Sequence, residues 1–414
     1  MEDVAVILLP GILGSPLENK ITHEDIWPVH STGRTVWTGG SHTATKVKLF
    51  VDDLQRMNSV TKVLRPTKWE EAKVDLVAPI YHGFVKLPAN ERLDKEGKQL
   101  CFTPHVYVLN YDWSVSTILN ITDIKAATLS IMKAACHDHN ATKFMYVTHS
   151  MGVLAALATV LGGGLADDID FAGIVAVAGP IPGAPEALMR MMRGFPSPSI
   201  INYEKAIATK LLANNGWKFS MLAPVLPGFA DLLPWSELDR DLETEIENII
   251  NFHFNPDKPV KRGAGMWSYN ERSWSEASDC RANLIKKMKS NISEARKLHL
   301  LIRNKQYDLT IFNRLFGVCL NGKDTIQSMN FVNLTGVPSL RGKRSGSLNI
   351  PDELKDTYTS AQKGDGTVTL GGQRYNCSAS IKVPGGIDHA DAFENKNVWP
   401  YIHTGMNWIY KHKI

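Results

Sequence analysis

Cysteine is scarce and scattered in this chain. Cys101, Cys136, Cys280, Cys319 and Cys377 form an odd set of five in 414 residues, with no Cys-x-x-Cys spacing. That pattern argues against a thiolate zinc site and against a dense disulfide framework, so reduced thiols are expected. An excess of one charge is also lacking: 46 basic residues against 42 acidic ones leave a formal net charge of +4, too little to point to nucleic acid. No apolar run approaches the roughly 20 residues of a spanning helix. The N-terminus lacks a basic region followed by a long apolar segment and a small-residue cleavage site. A cytoplasmic location is therefore expected, although a leaderless export route would leave no mark. There is no internal repeat or low-complexity tract.

What the chain does have is the balance of an ordinary globular protein, 43% hydrophobic and 21% charged. Its length suits one large domain with insertions, or two or three smaller ones. The segment VAVILLP, from Val4, reads as a buried strand ending at Pro10-Gly11, and PHVYVLNYDW (residues 104–113) as a second strand. Residues 124–136 are helix-like. FMYVTH, FAGIVAVAG (171–179), MNFVNLTGV (329–337) and SASIKVPG (378–385) add further apolar strands, and an amphipathic helix starts near Val398. Strands apolar on both faces and alternating with helices predict a mostly parallel sheet covered on both sides, an α/β architecture.

Two stretches break that rhythm. Residues 19–99 have poor periodicity and read as a lid-like excursion. Residues 181–325 show helices, loops and aromatics without a strong strand, and read as an inserted helical cap. The sheet domain is then expected to comprise residues 1–18, 100–180 and 326–414.

Phe144–Leu157, FMYVTHSMGVLAAL, combines an apolar strand, a turn and a small-residue helix. This is the setting of a nucleophile elbow in an α/β hydrolase, with Ser150 as nucleophile. Thr148 stands where the usual motif has glycine, so a slightly wider elbow is expected. The lettering recurs at His30-Ser31-Thr32-Gly33, but neither a strand nor a helix flanks Ser31 there. Such a fold orders its triad Ser, acid, His. Asp365, in a Gly-Asp-Gly turn, and His389, beyond the 378–385 strand, suit the roles of orienting carboxylate and base. Asp365 alone would read as a turn residue; His403 and His412 compete with His389 but fall within the C-terminal helix. Asp388 and Asp391 flank His389 and are read as loop residues. An oxyanion requires two preplaced N–H donors. Met151, after the nucleophile, and Ile12, in the glycine-flanked Pro10–Gly14 loop, are the candidates.

Taken in order, PGILGSPLE, YDW (111–113), HSMG (149–152), VAVAGPIPG, LTGVPS, GDGTV and GIDHADAF resemble lecithin:cholesterol acyltransferase-like proteins, a family that includes lysosomal phospholipases and bacterial lipases. The resemblance implies an acyl-enzyme mechanism on lipid esters, with Ser150, Asp365 and His389 as triad and the Ile12 and Met151 amides as oxyanion hole. Two departures stand out: Ser114 follows YDW where the family has Arg, and residues 19–100 lack the cysteines of the secreted animal members' lid.

Substrate contacts are expected from Trp37 and from Met189 and Met192 in ALMRMMRGF, where methionine adapts to acyl chains; packing of cap on core is the competing role of those methionines. Lys286, Lys287, Lys289, Arg296, Lys297 and Arg303 suit either a solvated helix face or contact with anionic head groups at a membrane surface. No metal and no cofactor is expected. The reading is a serine esterase on acyl lipids, with an acyltransferase and a catalytically silent binding protein as rivals.

Overall fold

In the first strand, β1 (Asp3–Leu9), every residue from Val4 to Leu9 is inaccessible to solvent. Alternate side chains point to opposite faces of a strand. Ala5, Ile7 and Leu9 accordingly join one apolar layer, while Val4, Val6 and Leu8 join another. The computed structural model describes residues 1–23, 25–27, 61–163, 165, 169–193, 223–235, 281–305, 309–329 and 358–412.

Three short strands form a small antiparallel sheet in which β2 (Leu17–Asn19) lies between β3 (Asp25–Trp27) and β4 (Thr61–Val63) and pairs with both. The central sheet continues with β5 (Thr103–Val108), β6 (Lys143–His149), β7 (Asp170–Val177), β8 (Leu315–Leu320) and, after the antiparallel pair β9 (Lys323–Met329) and β10 (Tyr358–Gly364), β11 (Ala379–Val383). Its order is β11-β8-β7-β6-β1-β5, and every pairing is parallel. Parallel neighbours require crossovers, which helices supply.

On one face pack α1 (Thr117–His139) and α2 (Gly152–Gly163), with α3 (Pro185–Arg193) adjoining the same layer and α4 (Arg281–Asn304) against α2. On the other lie α5 (Trp399–Lys411) and the segment around Tyr81 and Phe84. Both faces of the sheet are thus covered, the arrangement expected of an α/β-hydrolase-like fold.

The cap boundary needs correction. LFGVCL of β8 lies inside the range read as helical cap, yet all six residues are buried in the central sheet. A six-residue apolar run next to a helix cannot be told from a helical segment by periodicity. Helix α4 likewise belongs to a core layer: Leu284, Met288, Ile292, Ala295, Leu298 and Ile302 are all buried in it. Part of the excursion is also core, since Val74, Val77, Tyr81, Phe84 and Val85 fill the second layer. Of the strand expected at 329–337, Met329 ends β9, and the remainder lies outside the described residues.

Candidate active site

The turn from β6 to α2 is completed within two residues, and Ser150 takes a left-handed backbone conformation, φ 52°. A non-glycine residue there costs on the order of 1–3 kcal/mol and persists only when its surroundings enforce it. Here they do so through the Ser150 N–H, which donates to Val177 O at 3.0 Å, and through buried flanks on both sides. At Gly152, a Cβ would stand 2.5 Å from the Leu9 carbonyl oxygen, so α2 can begin against the end of β1 only with glycine at this position. Thr148 fits inside β6, fully buried beside Ala176 in the neighbouring strand, with its hydroxyl donating to Val175 O. A small cross-strand neighbour leaves room for the β-branched side chain.

The structure brings Ser150, His389 and Asp365 together from three parts of the sequence. Ser150 Oγ lies 2.7 Å from His389 Nε2, and His389 Nδ1 lies 2.7 Å from Asp365 Oδ2. His389 sits in a single helical turn beyond β11, and its N–H donates to Asp365 O. Asp365 follows β10 directly. Its Oδ1 accepts the N–H groups of Thr367 and Val368 at 2.9 and 2.7 Å, leaving Oδ2 for the imidazole. The two sequence-level readings of Asp365, as turn residue and as orienting carboxylate, are divided between its two oxygens.

The Pro10–Gly14 loop closes beside the serine: a Cβ on Gly11 would be 3.1 Å from Ser150 Cβ. Leu13 is left-handed (φ 68°), and Gly14 N–H donates to Gly11 O. Among the described residues, no acceptor pairs with the backbone N–H of Ile12 or of Met151.

One connection has no counterpart in the sequence reading. Gly11 N–H donates to the Tyr81 hydroxyl at 2.9 Å, and that hydroxyl lies 2.8 Å from His149 Nδ1. His149 Nε2 is 3.0 Å from the His389 carbonyl oxygen. A carbonyl can only accept, so His149 carries its proton on Nε2 and Nδ1 accepts from Tyr81. Burial, and next the proximity of His389, lower the His149 pKa to about 3, which keeps this imidazole neutral. Burial holds the Tyr81 phenol protonated. A buried chain of hydrogen bonds therefore ties the Gly11-Ile12 loop to the loop that carries His389. The nearest sequence signal was His149 itself, adjacent to Ser150.

Other candidates are engaged elsewhere. His403 Nδ1 bonds Leu93 O, its ring stacks on Phe84, and burial lowers its pKa to about 4. His412 bonds and stacks on Trp408. Asp388 pairs with Lys323 rather than with the His389 ring. Trp37 and Ser31 lie outside the described residues, as do the side chains of Met189 and Met192 on α3. On α4, Lys297 pairs with Glu294, Arg303 lies over the Trp235 ring and Lys287 is buried, so the basic residues do not form one uniformly solvated row. Among the described residues no helix is long and apolar enough to cross a membrane.

Fold and sheet topology together define an α/β-hydrolase-like protein. The chain is similar to a chain in the crystal structure of the Tle4–Tli4 complex, with a TM-score of 0.54, 14% identity and coverage of 99% of both chains. At that identity the likeness shows the fold alone. No protein-family model and no curated protein matches the chain.

Proposed function

We propose that this protein is a serine ester hydrolase acting on acyl lipids. The observation that carries the reading is the contact of Ser150 Oγ, on a left-handed elbow, with His389 Nε2, whose other nitrogen faces Asp365. His389 takes the Ser150 proton as Oγ attacks the ester carbonyl. The tetrahedral oxyanion is received by the Ile12 and Met151 N–H groups, preplaced donors that need no reorganisation. His389 then protonates the departing alcohol, and water resolves the acyl-enzyme with His389 again acting as base. Asp365 holds the imidazole with Nδ1 protonated and stabilises its charged form.

The lipid assignment rests on the resemblance of the ordered motifs to those of lecithin:cholesterol acyltransferase-like proteins. The same proposal gives lid and cap roles to the parts of 19–99 and 181–314 that are not built into the two apolar layers, and it includes peripheral contact with a lipid surface.

The test compares wild type with Ser150→Ala on mixed liposomes supplied with candidate alcohol acceptors, with products identified by mass spectrometry. Free fatty acid released only by wild type is the expected result. New esters in place of fatty acid would identify an acyltransferase. Absence of turnover, together with failure of Ser150 to react with a fluorophosphonate, would overturn the enzymatic reading in favour of a silent binding fold.

A further inference from the structure

Of the three residues Tyr111-Asp112-Trp113, two have side chains that the fold accounts for. Asp112 accepts from the Thr61 hydroxyl and from the N–H and hydroxyl of Ser114, and Trp113 Nε1 donates to Ser15 O at 2.9 Å. Tyr111 is different. Its side chain is inaccessible to solvent, yet among the described residues its hydroxyl meets no hydrogen-bond partner. A buried tyrosine usually finds a partner for its O–H, because an unmade hydrogen bond in the interior leaves the lost hydration uncompensated. We propose that the Tyr111 hydroxyl is a substrate-binding donor that hydrogen-bonds an oxygen of the bound acyl ester. It rests on the ester-hydrolase reading given above and adds a specificity-determining residue to it.

The backbone explains the placement. Leu109 N–H donates to Leu8 O, which continues the pairing of β5 with β1, and Tyr111 N–H donates to Ser15 Oγ at 3.4 Å. Ser15 directly follows the Pro10–Gly14 loop, so the residue that bears the phenol is docked on the segment that carries the Ile12 amide. The Tyr81 hydroxyl, which receives Gly11 N–H, is an electrostatic neighbour of the Tyr111 phenol. Burial does not set Tyr111 apart from the site, since Ser150 itself is only 6% exposed.

Chemistry narrows the ligand atom. Burial, with Tyr81 and Asp231 adding to it, raises Tyr111 well above the ordinary phenol pKa, so at neutral pH the hydroxyl is protonated and able to donate. As a donor it needs an acceptor on the ligand. The hydrocarbon chain of a lipid has none, and its ester linkage has oxygens only. A hydroxyl fixed beyond the end of β5 therefore reads the ester linkage rather than the chain, beside the Ile12 and Met151 amides that receive the oxyanion.

Tyr111→Phe keeps the ring and removes only the oxygen. With p-nitrophenyl butyrate as the probe ester, this variant should lower kcat/KM about tenfold, chiefly through a higher KM, while its Tm equals or exceeds that of wild type because an unpartnered polar group has been removed. Tyr107→Phe is the matched control. That hydroxyl is also buried without a partner among the described residues, but its charged neighbours are Glu71 and Asp138, and its loss should leave kcat and KM unchanged. Labelling of Ser150 by a fluorophosphonate separates this inference from the reading on which it rests. Where wild type is labelled and hydrolyses the ester, the inference alone is overturned by any of four results: kcat/KM of Tyr111→Phe within about twofold of wild type, a fall confined to kcat, a loss of activity matched by a fall in Tm, or an equal loss in Tyr107→Phe. Neither labelling nor hydrolysis by wild type would overturn the ester reading itself, and the role of Tyr111 with it.

Discussion

Histidine and carboxylate gather at both ends of the parallel sheet, but in different company. At the carboxyl ends, His149 is fully desolvated and neutral, and it serves as a link between backbone groups; His389 meets one carboxylate and one hydroxyl. At the amino ends, His105 has a carboxylate at each nitrogen and a second imidazole stacked on it, near solvent. The difference teaches that residue type alone does not assign chemistry. One arrangement leaves a nitrogen directed at a hydroxyl, as proton transfer requires; the other stacks two imidazoles side by side on one shared carboxylate oxygen.

The strongest way to break this comparison is to remove the nucleophile. Ser150→Ala is expected to lower ester turnover by about 10⁴-fold or more, and His389→Ala by a similar factor, with no further loss in the double variant because the two act as a unit. Steady-state rates on a soluble ester measure this, and full additivity of the two losses would count against a shared step. Asp365→Asn should cost about 10³–10⁴-fold by disturbing the imidazole tautomer while the fold survives.

Tyr81→Phe sharpens the comparison at the level of positioning. It deprives Gly11 N–H of its acceptor and His149 Nδ1 of its donor, both buried. A fall in kcat of about 10–100-fold with little change in KM is expected, because an oxyanion donor misplaced by a fraction of an ångström loses part of its 3–4 kcal/mol. A purely structural tyrosine would instead lower Tm by itself and leave kcat per folded molecule intact.

The smallest expected effect concerns a carboxylate that lies neither at the serine nor at the amino ends. Asp231 is buried and accepts Thr117 N–H and Ser116 Oγ at the start of α1. Burial raises its pKa to about 7, against hydrogen bonds from Thr117 and Ser116 that lower it. A carboxyl raised above its ordinary value near 4 favours the fold while protonated. That contribution is present below about pH 4 and is lost as pH rises through about 7. Between those limits Asp231→Asn should flatten the decline of Tm with pH by about 3 °C. An unchanged slope in scanning calorimetry would show that Asp231 ionises without penalty.

How far each feature was legible depended on how local its cause is. The elbow is written in consecutive residues, since strand, turn and helix each have a short-range signature and Gly152 marks the close crossing onto Leu9. The parallel sheet was legible for the same reason in β1, β5, β6 and β7. It was not legible in β8, where six apolar residues have no periodicity to distinguish them from the helical surroundings. Within the excursion, the part from Val74 to Val85 read as irregular because its order comes from burial of Val74, Tyr81 and Phe84 against a face the sequence does not display.

By itself the sequence determined the kind of architecture and the short list of chemically capable residues, because hydrophobic period, turn residues and motif order are properties of neighbouring positions. Only the tertiary structure decided which of them meet. Tyr81 reaches His149 across 68 positions, and His389 reaches Ser150 across 239. Glu71, His105 and His139, unremarked in the linear chain, come together because β5 must pair with β1 and α1 must end beside it. Such meetings are set by sheet register and layer packing, which sum many weak contacts over the whole chain and leave no local mark at the residues they unite.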